Sequence, residues 1–137
     1  MNNYSYNDIE PGHTESFSVS VTDEMLDGFR NITGDDNPFH RDDDFAKKQG
    51  FKGHVAFGML TASFLSTLAG MYLPGKKSII QNTEIKFMKP VYPGDTLTVS
   101  GTVAEKNDAF SVMKLKVFIK NQDGEKVLRG SMQVGFL

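Results

Sequence analysis

The stretch Val55 to Leu73 reads VAFGMLTASFLSTLAGMYL and carries no charged residue. Phe57, Met59, Leu60, Ala62, Phe64, Leu65, Leu68, Ala69 and Met71 point in nearly every direction around a helix axis, so a helix here must be buried almost all round. Gly70 and the Pro74-Gly75 pair mark its end. The material to bury it follows in the chain. Ser78 to Lys89, Thr96 to Glu105, Phe110 to Lys120 and Lys126 to Leu137 are each rich in Val, Ile, Thr or Phe, as strands are. Pro93-Gly94-Asp95, Lys106-Asn107-Asp108 and Asn121-Gln122-Asp123-Gly124 separate them with turn-forming residues, which predicts an antiparallel meander. Upstream, Phe17, Val19 and Val21 alternate with Ser16, Ser18 and Ser20, the period of a half-buried opening strand. A strand, small helices, one buried helix and a meander make an α+β plan in which the sheet curls around the helix. At 137 residues the chain fits a single domain, residues 1–137, with 1–14 as an N-terminal extension.

Between the first strand and the buried helix lie the residues with chemistry to offer. Thr22-Asp23-Glu24 is an N-cap signature, followed by Met25, Phe29 and Ile32 at helical spacing, and Gly34 stops that helix. Asp35-Asp36-Asn37-Pro38 is turn chemistry, because Asp and Asn bond their own backbone and Pro38 drives Asn37 out of the helical region. Arg41 to Lys48 reads as a short helix, with Asp42, Asp43 and Asp44 at its positive end and Lys47 and Lys48 at its negative end. The Asp run is thus a solvated, dipole-matched turn. The rigid Asn37-Pro38 turn lets the chain fold Asp35 and His40 toward one point. A carboxylate and an imidazole at one water can take a proton from it and deliver one elsewhere. The same residues also read as a plain Asx-turn beside a capping histidine, and spacing leaves both readings open.

Composition removes several function classes. Seventeen acidic against fifteen basic residues give a formal charge of -2, so no positive field gathers nucleic acid. The absence of cysteine excludes disulfides, thiol nucleophiles and thiolate metal sites, and fits a reducing compartment. Three scattered His give no ligand spacing, so no metal is expected. No apolar run approaches the ~20 residues that cross a bilayer. The start, Met1 to Glu10, is polar and acidic where a signal peptide is basic then apolar, so a cytoplasmic protein with no membrane partner is expected.

Phe29 to His40, read as FRNITGDDNPFH, is similar to the signature of the MaoC-like, R-specific enoyl-CoA hydratases, above all in its Gly-Asp-x-Asn-Pro-x-His core. Ala46, Gly58-Met59-Leu60, Pro74-Gly75 and Phe87-Met88-Lys89-Pro90-Val91-Tyr92-Pro93-Gly94-Asp95 extend the resemblance from the first helix to the C-terminus. It implies a hotdog fold, homodimeric or higher, with active sites at the subunit boundary. It implies reversible syn hydration of trans-2-enoyl thioesters to (R)-3-hydroxyacyl thioesters. Asp35 and His40 match the catalytic pair. Gly58 matches the glycine whose backbone amide bonds the thioester oxygen, a role the free amides at a helix N-terminus suit. Asn37 belongs to the matched motif and is grouped with the substrate-binding positions. Ser66 aligns with a serine near the catalytic carboxylate of relatives. Coenzyme A or the phosphopantetheine of an acyl carrier protein enters only as part of the substrate, and no further cofactor is implied.

One departure stands out. Members commonly have His immediately before that glycine, whereas this chain has Phe57, which neither donates nor accepts a strong hydrogen bond. The expectation is a changed pocket polarity or substrate, with the reaction kept. His54 reads as a helix-cap or surface residue, or as a partial replacement for the missing histidine, and His13 has no assigned role. Lys47, Lys48 and Lys52 are either a solvated face or contacts for the phosphates of the carrier. A hotdog thioesterase and a noncatalytic acyl-thioester binder remain the alternatives to hydration.

Overall fold

A computed structural model describes residues 1–137. Strands β1 (Thr14–Ser20), β2 (Ser78–Phe87), β3 (Thr96–Asn107), β4 (Val112–Lys120) and β5 (Lys126–Phe136) form one sheet in the order β1-β3-β4-β5-β2, antiparallel throughout. Three α-helices, α1 (Asp23–Thr33), α2 (Asp43–Lys48) and α3 (Gly58–Thr67), lie between β1 and β2. The architecture is the α+β plan read from the sequence.

Only β3, β4 and β5 form the expected meander. β2 and β3 follow one another in the chain without being neighbours, because β2 pairs with β5 at one edge while β1 pairs with β3 at the other. The segment between them is no hairpin turn. Pro90 and Pro93 lack the N–H a ladder needs, and Val91 is buried with its carbonyl accepting from the Ala56 amide at 2.8 Å. That crossover carries the chain past the entrance to α3 before it enters the sheet again.

The inward face of the sheet follows the two-residue period: Leu97, Val99 and Val103 on β3, Met113, Leu115, Val117 and Ile119 on β4, and Leu128, Met132 and Val134 on β5 are buried. Against them α3 buries Leu60, Thr61 and Leu65 and then loosens into a π-helical turn, Leu68–Tyr72, which buries Leu68 and Ala69. Gly101 makes the close approach possible, since a Cβ there would stand 2.8 Å from Leu68 Cδ2. Gly101→Ala should therefore cost about 1–3 kcal/mol by overpacking, read as a lowered urea midpoint.

The structure corrects two readings of the helices. Val55 to Phe57 is not helical, and the helix is not buried all round: Met59 is 62% exposed, and Ser63 and Ser66 face outward. A sheet of five strands offers one concave face, so it covers one side of α3 and leaves the other. In α1 the residue fully buried is Leu26, whereas Ile32 in its last turn stays exposed. No helix is long and apolar enough to cross a membrane.

Candidate active site

The site is assembled from the ends of three helices. Thr22 Oγ1 accepts from the Met25 amide at the start of α1, and Gly34, at φ 76°, ends that helix in the left-handed conformation. The chain then folds through a ladder of local bonds. The Asp35 amide donates to Thr33 Oγ1 at 3.2 Å, the Asn37 amide to Asp35 Oδ1 at 3.1 Å, and the Phe39 amide to Asn37 Oδ1 at 2.9 Å. Pro38 opens a 3-10 turn, Pro38–His40, where its missing N–H costs nothing. The two consecutive aspartates separate here. Asp36 accepts from Arg41 Nε at 2.8 Å and lies 3.8 Å from Arg30 Nε, so it ties the loop down. Asp35 meets no cation, keeps one oxygen free of the turn, and faces the cleft.

His40 is oriented from the opposite side. Its Nδ1 lies 2.7 Å from the Val55 carbonyl oxygen, which can only accept, so Nδ1 carries the hydrogen and the neutral ring presents Nε2 as a lone pair. Phe57, 2% exposed, stacks on the imidazole with centroids 4.0 Å apart and planes at 29°, and packs against the Phe29 ring with centroids 4.8 Å apart. The residue that departs from the family pattern thus serves as a flat apolar wall that fixes the His40 ring.

Two clefts meet at this point. One, of ≈ 560 Å³, is lined by Phe29, Thr33, Asp35, His40, Phe57, Gly58, Met59 and Phe87. The other, of ≈ 330 Å³, is largely apolar and also contains His40, Gly58 and Phe87, together with Phe39, Phe51, Val55, Thr61, Lys89 and Val127. Gly58 begins α3, whose N-terminus has no side-chain cap, so its first amides are free to bond a ligand. A Cβ at Gly58 would stand 3.1 Å from the Phe87 ring, so the glycine lets that ring close over the start of α3 without shifting.

Of the residues singled out from the sequence, Asp35, His40, Phe57 and Gly58 come together around one cleft. Asn37 and Ser66 line neither cleft. Asn37 spends its side-chain oxygen on the cap of the 3-10 turn, and Ser66 sits on the outward side of α3. His54 is neither cap nor bare surface residue, because both its ring nitrogens meet carboxylates. Phe29, Phe87 and Lys89 escaped the sequence reading as site residues. Phe29 opens one matched motif segment and Phe87 and Lys89 lie in another, which was the signal available, and the Val55 carbonyl had none.

A family model described as MaoC like domain matches residues 7–123. The chain belongs to the MaoC-like family. Within it, the chain is 37% identical over 105 residues to an (R)-specific enoyl-CoA hydratase of Rhodospirillum rubrum, an alignment covering 74% of this chain and 73% of that one. It is 31% identical over 126 residues to the (R)-specific enoyl-CoA hydratase of Aeromonas caviae, covering 92% and 94%. Among solved MaoC-like structures, the R-hydratase PhaJ1 of Pseudomonas aeruginosa superposes with a TM-score of 0.91 at 30% identity, over 98% of this chain and 86% of that one. The A. caviae (R)-hydratase superposes with a TM-score of 0.90 at 30% identity, over 94% and 98%. These likenesses identify the MaoC-like sheet and helix as a hotdog fold.

Proposed function

We propose that this protein catalyses the reversible syn addition of water to a trans-2-enoyl thioester, giving the (R)-3-hydroxyacyl thioester. The observation that carries the reading is the single cleft lined by Asp35, which keeps one oxygen outside the turn, by His40, whose Nδ1 is taken up by the Val55 carbonyl, and by Gly58 at the uncapped start of α3. Names of relatives support it, including the two (R)-specific enoyl-CoA hydratases and a 3-hydroxybutyryl-CoA dehydratase of Methylorubrum extorquens.

A thioester lying across the junction of the two clefts has its acyl chain in one and its carrier arm in the other. The Gly58 amide bonds the carbonyl oxygen, and with the helix dipole it draws charge toward that oxygen and makes C3 electrophilic. A water bonded to both Asp35 and His40 forms its C3–O bond while the pair takes its proton. The carbon–carbon double bond opens to an enolate, and the same pair returns a proton to C2. Both additions come from one side of the substrate, which is why they are syn. Nothing changes oxidation state, so the reaction needs no redox cofactor, and coenzyme A or phosphopantetheine serves as the carrier of the substrate.

A homodimer and a cytoplasmic setting complete the proposal. The dimer is supported by the open edge of β2 and by the partly exposed Ile79, Ile80 and Phe87 on β2, Met59 on the uncovered side of α3 and Met71 in the π-helical turn that follows it. The lack of cysteine suits a reducing compartment. The test follows loss of the ultraviolet absorbance of the conjugated enoyl thioester, with crotonyl and longer acyl-CoA substrates. Turnover with conversion to the (R)-3-hydroxy product is expected. Release of free thiol without hydration would point to a thioesterase and overturn the reading.

A further inference from the structure

His54 stands outside both clefts, yet it is the histidine whose two ring nitrogens both meet a partner. Its Nδ1 is 2.6 Å and its backbone nitrogen 2.8 Å from Asp43 Oδ1, while Nε2 is 2.7 Å from Asp23 Oδ1. The ring thereby ties the first turn of α1 and the first turn of α2 to the loop that enters α3. The short Asp run at α2 divides its duties. Asp42 caps the helix through the Phe45 amide, which leaves Asp43 to reach the loop. Gly53 lets it come close, since a Cβ there would stand 2.9 Å from Asp43 Oδ1.

The next residue along is the one that orients His40. Val55 accepts from His40 Nδ1 at 2.7 Å and donates to the Phe39 carbonyl at 3.1 Å, and Ala56 donates to the Val91 carbonyl at 2.8 Å. The loop is thus pinned at three successive residues, of which His54 is the first and Val55 holds the His40 ring. Resting on the hydratase reading, we propose that His54 is a positioning residue: as an imidazolium bridging Asp23 and Asp43, it sets the Val55 carbonyl that orients His40.

The bridge depends on charge for a geometric reason. Neutral imidazole has one N–H and imidazolium has two, and a carboxylate accepts but does not donate, so only the protonated ring bonds both partners. The surroundings favour that form. The bond to Asp23, then that to Asp43, holds the His54 pKa above the ordinary imidazole value, against a smaller opposing effect of burial. The Asp43 carboxyl is in turn held below its usual range, chiefly by the His54 backbone N–H and then by its ring. The charged groups facing the ring are Asp23 from α1 and Asp43 from α2, with Lys47 one turn beyond Asp43. Because the folded-state pKa is raised, the bridge contributes fully below the ordinary imidazole pKa and is lost as pH rises through the raised one. Asp23 and Asp43 bond opposite nitrogens of the ring, so the three side chains do not converge on one cation.

The test compares wild type with His54→Gln and Asp23→Asn in three measurements. In turnover, His54→Gln should lower kcat by roughly ten- to a hundredfold, as a misplaced catalytic group does, with KM changed by no more than about twofold. In the pH profile, wild-type kcat should fall on an alkaline limb that His54→Gln lacks and that Asp23→Asn moves to lower pH. In nuclear magnetic resonance, the His40 ring signals of wild type should shift as His54 titrates, and should not in His54→Gln. This last measurement needs no turnover, so it judges the positioning role even if the hydratase reading fails. If His54→Gln lowers only the melting temperature, with kcat, pH profile and His40 signals as in wild type, His54 is a structural tie and the proposal is overturned.

Discussion

Asp35→Asn is expected to lower kcat/KM for the enoyl thioester by about 10²–10⁴-fold, the usual loss when an acid–base group is removed. Folding should be untouched. Asp35 is exposed and its structural duty is to accept the Asn37 amide, which the carbonyl of an asparagine side chain does equally well. Stability is therefore expected to stay within about 0.5 kcal/mol of wild type in urea. What the variant loses is a negative charge on the cleft that His40 also lines, and with it, in the proposed mechanism, the ability to hold and polarise water there. Wild-type turnover by this variant would remove Asp35 from the mechanism. Its neighbour is the control: Asp36→Asn weakens the ties to Arg41 and Arg30 that shape the loop, and should cost much less in kcat than Asp35→Asn.

Phe57→Ala carries the largest expected effect on stability. The ring is 2% exposed and packed between Phe29 and His40, at the point where the chain turns into α3. Its removal leaves a cavity with no side chain free to fill it, because its neighbours are themselves fixed, Phe29 on α1 and His40 by the Val55 carbonyl. The expected cost is about 3–5 kcal/mol, measured as a shift in the denaturant midpoint. Activity should fall as well, since His40 loses the surface that holds its plane. Phe57→Leu, which keeps most of the volume but not the flat face, should recover much of the stability and less of the activity. Loss of neither would show that the stack has no part in holding the ring.

The sequence made β3, β4 and β5 legible because each buries one face, and an alternation of Leu, Val and Met with Lys, Ser and Thr is visible in one dimension, whereas β2 buries neither face in this chain and was marked only by its β-forming residues and its turns. It also made the turn at Asn37-Pro38 legible, because Pro38 and the short polar side chains dictate their own local bonds. The order of the strands was not. β2 and β3 are adjacent in the chain, and their separation in the sheet depends on where the segment through Val91 docks, which is a contact with the entrance to α3. The exposed side of α3 escaped for a related reason. An apolar helix states that it has to be covered and does not state how far around its axis a single curved sheet can reach.

Residue identity alone determined the carboxylate and imidazole at the Asp35 to His40 turn, the glycine that begins α3 and the absence of any thiol. Those follow from local chemistry, and a linear reading contains them. Tertiary structure decided which aspartate of the pair stays free, which nitrogen of His40 keeps its proton, and that Phe57 is a wall where a histidine was expected. It also decided that His54 joins two helices to the loop. Each of these turns on which atoms from distant segments approach within a few ångströms, as when the Val55 carbonyl meets His40. Such distances are set by the packing of all the elements together, which no stretch of the chain records by itself.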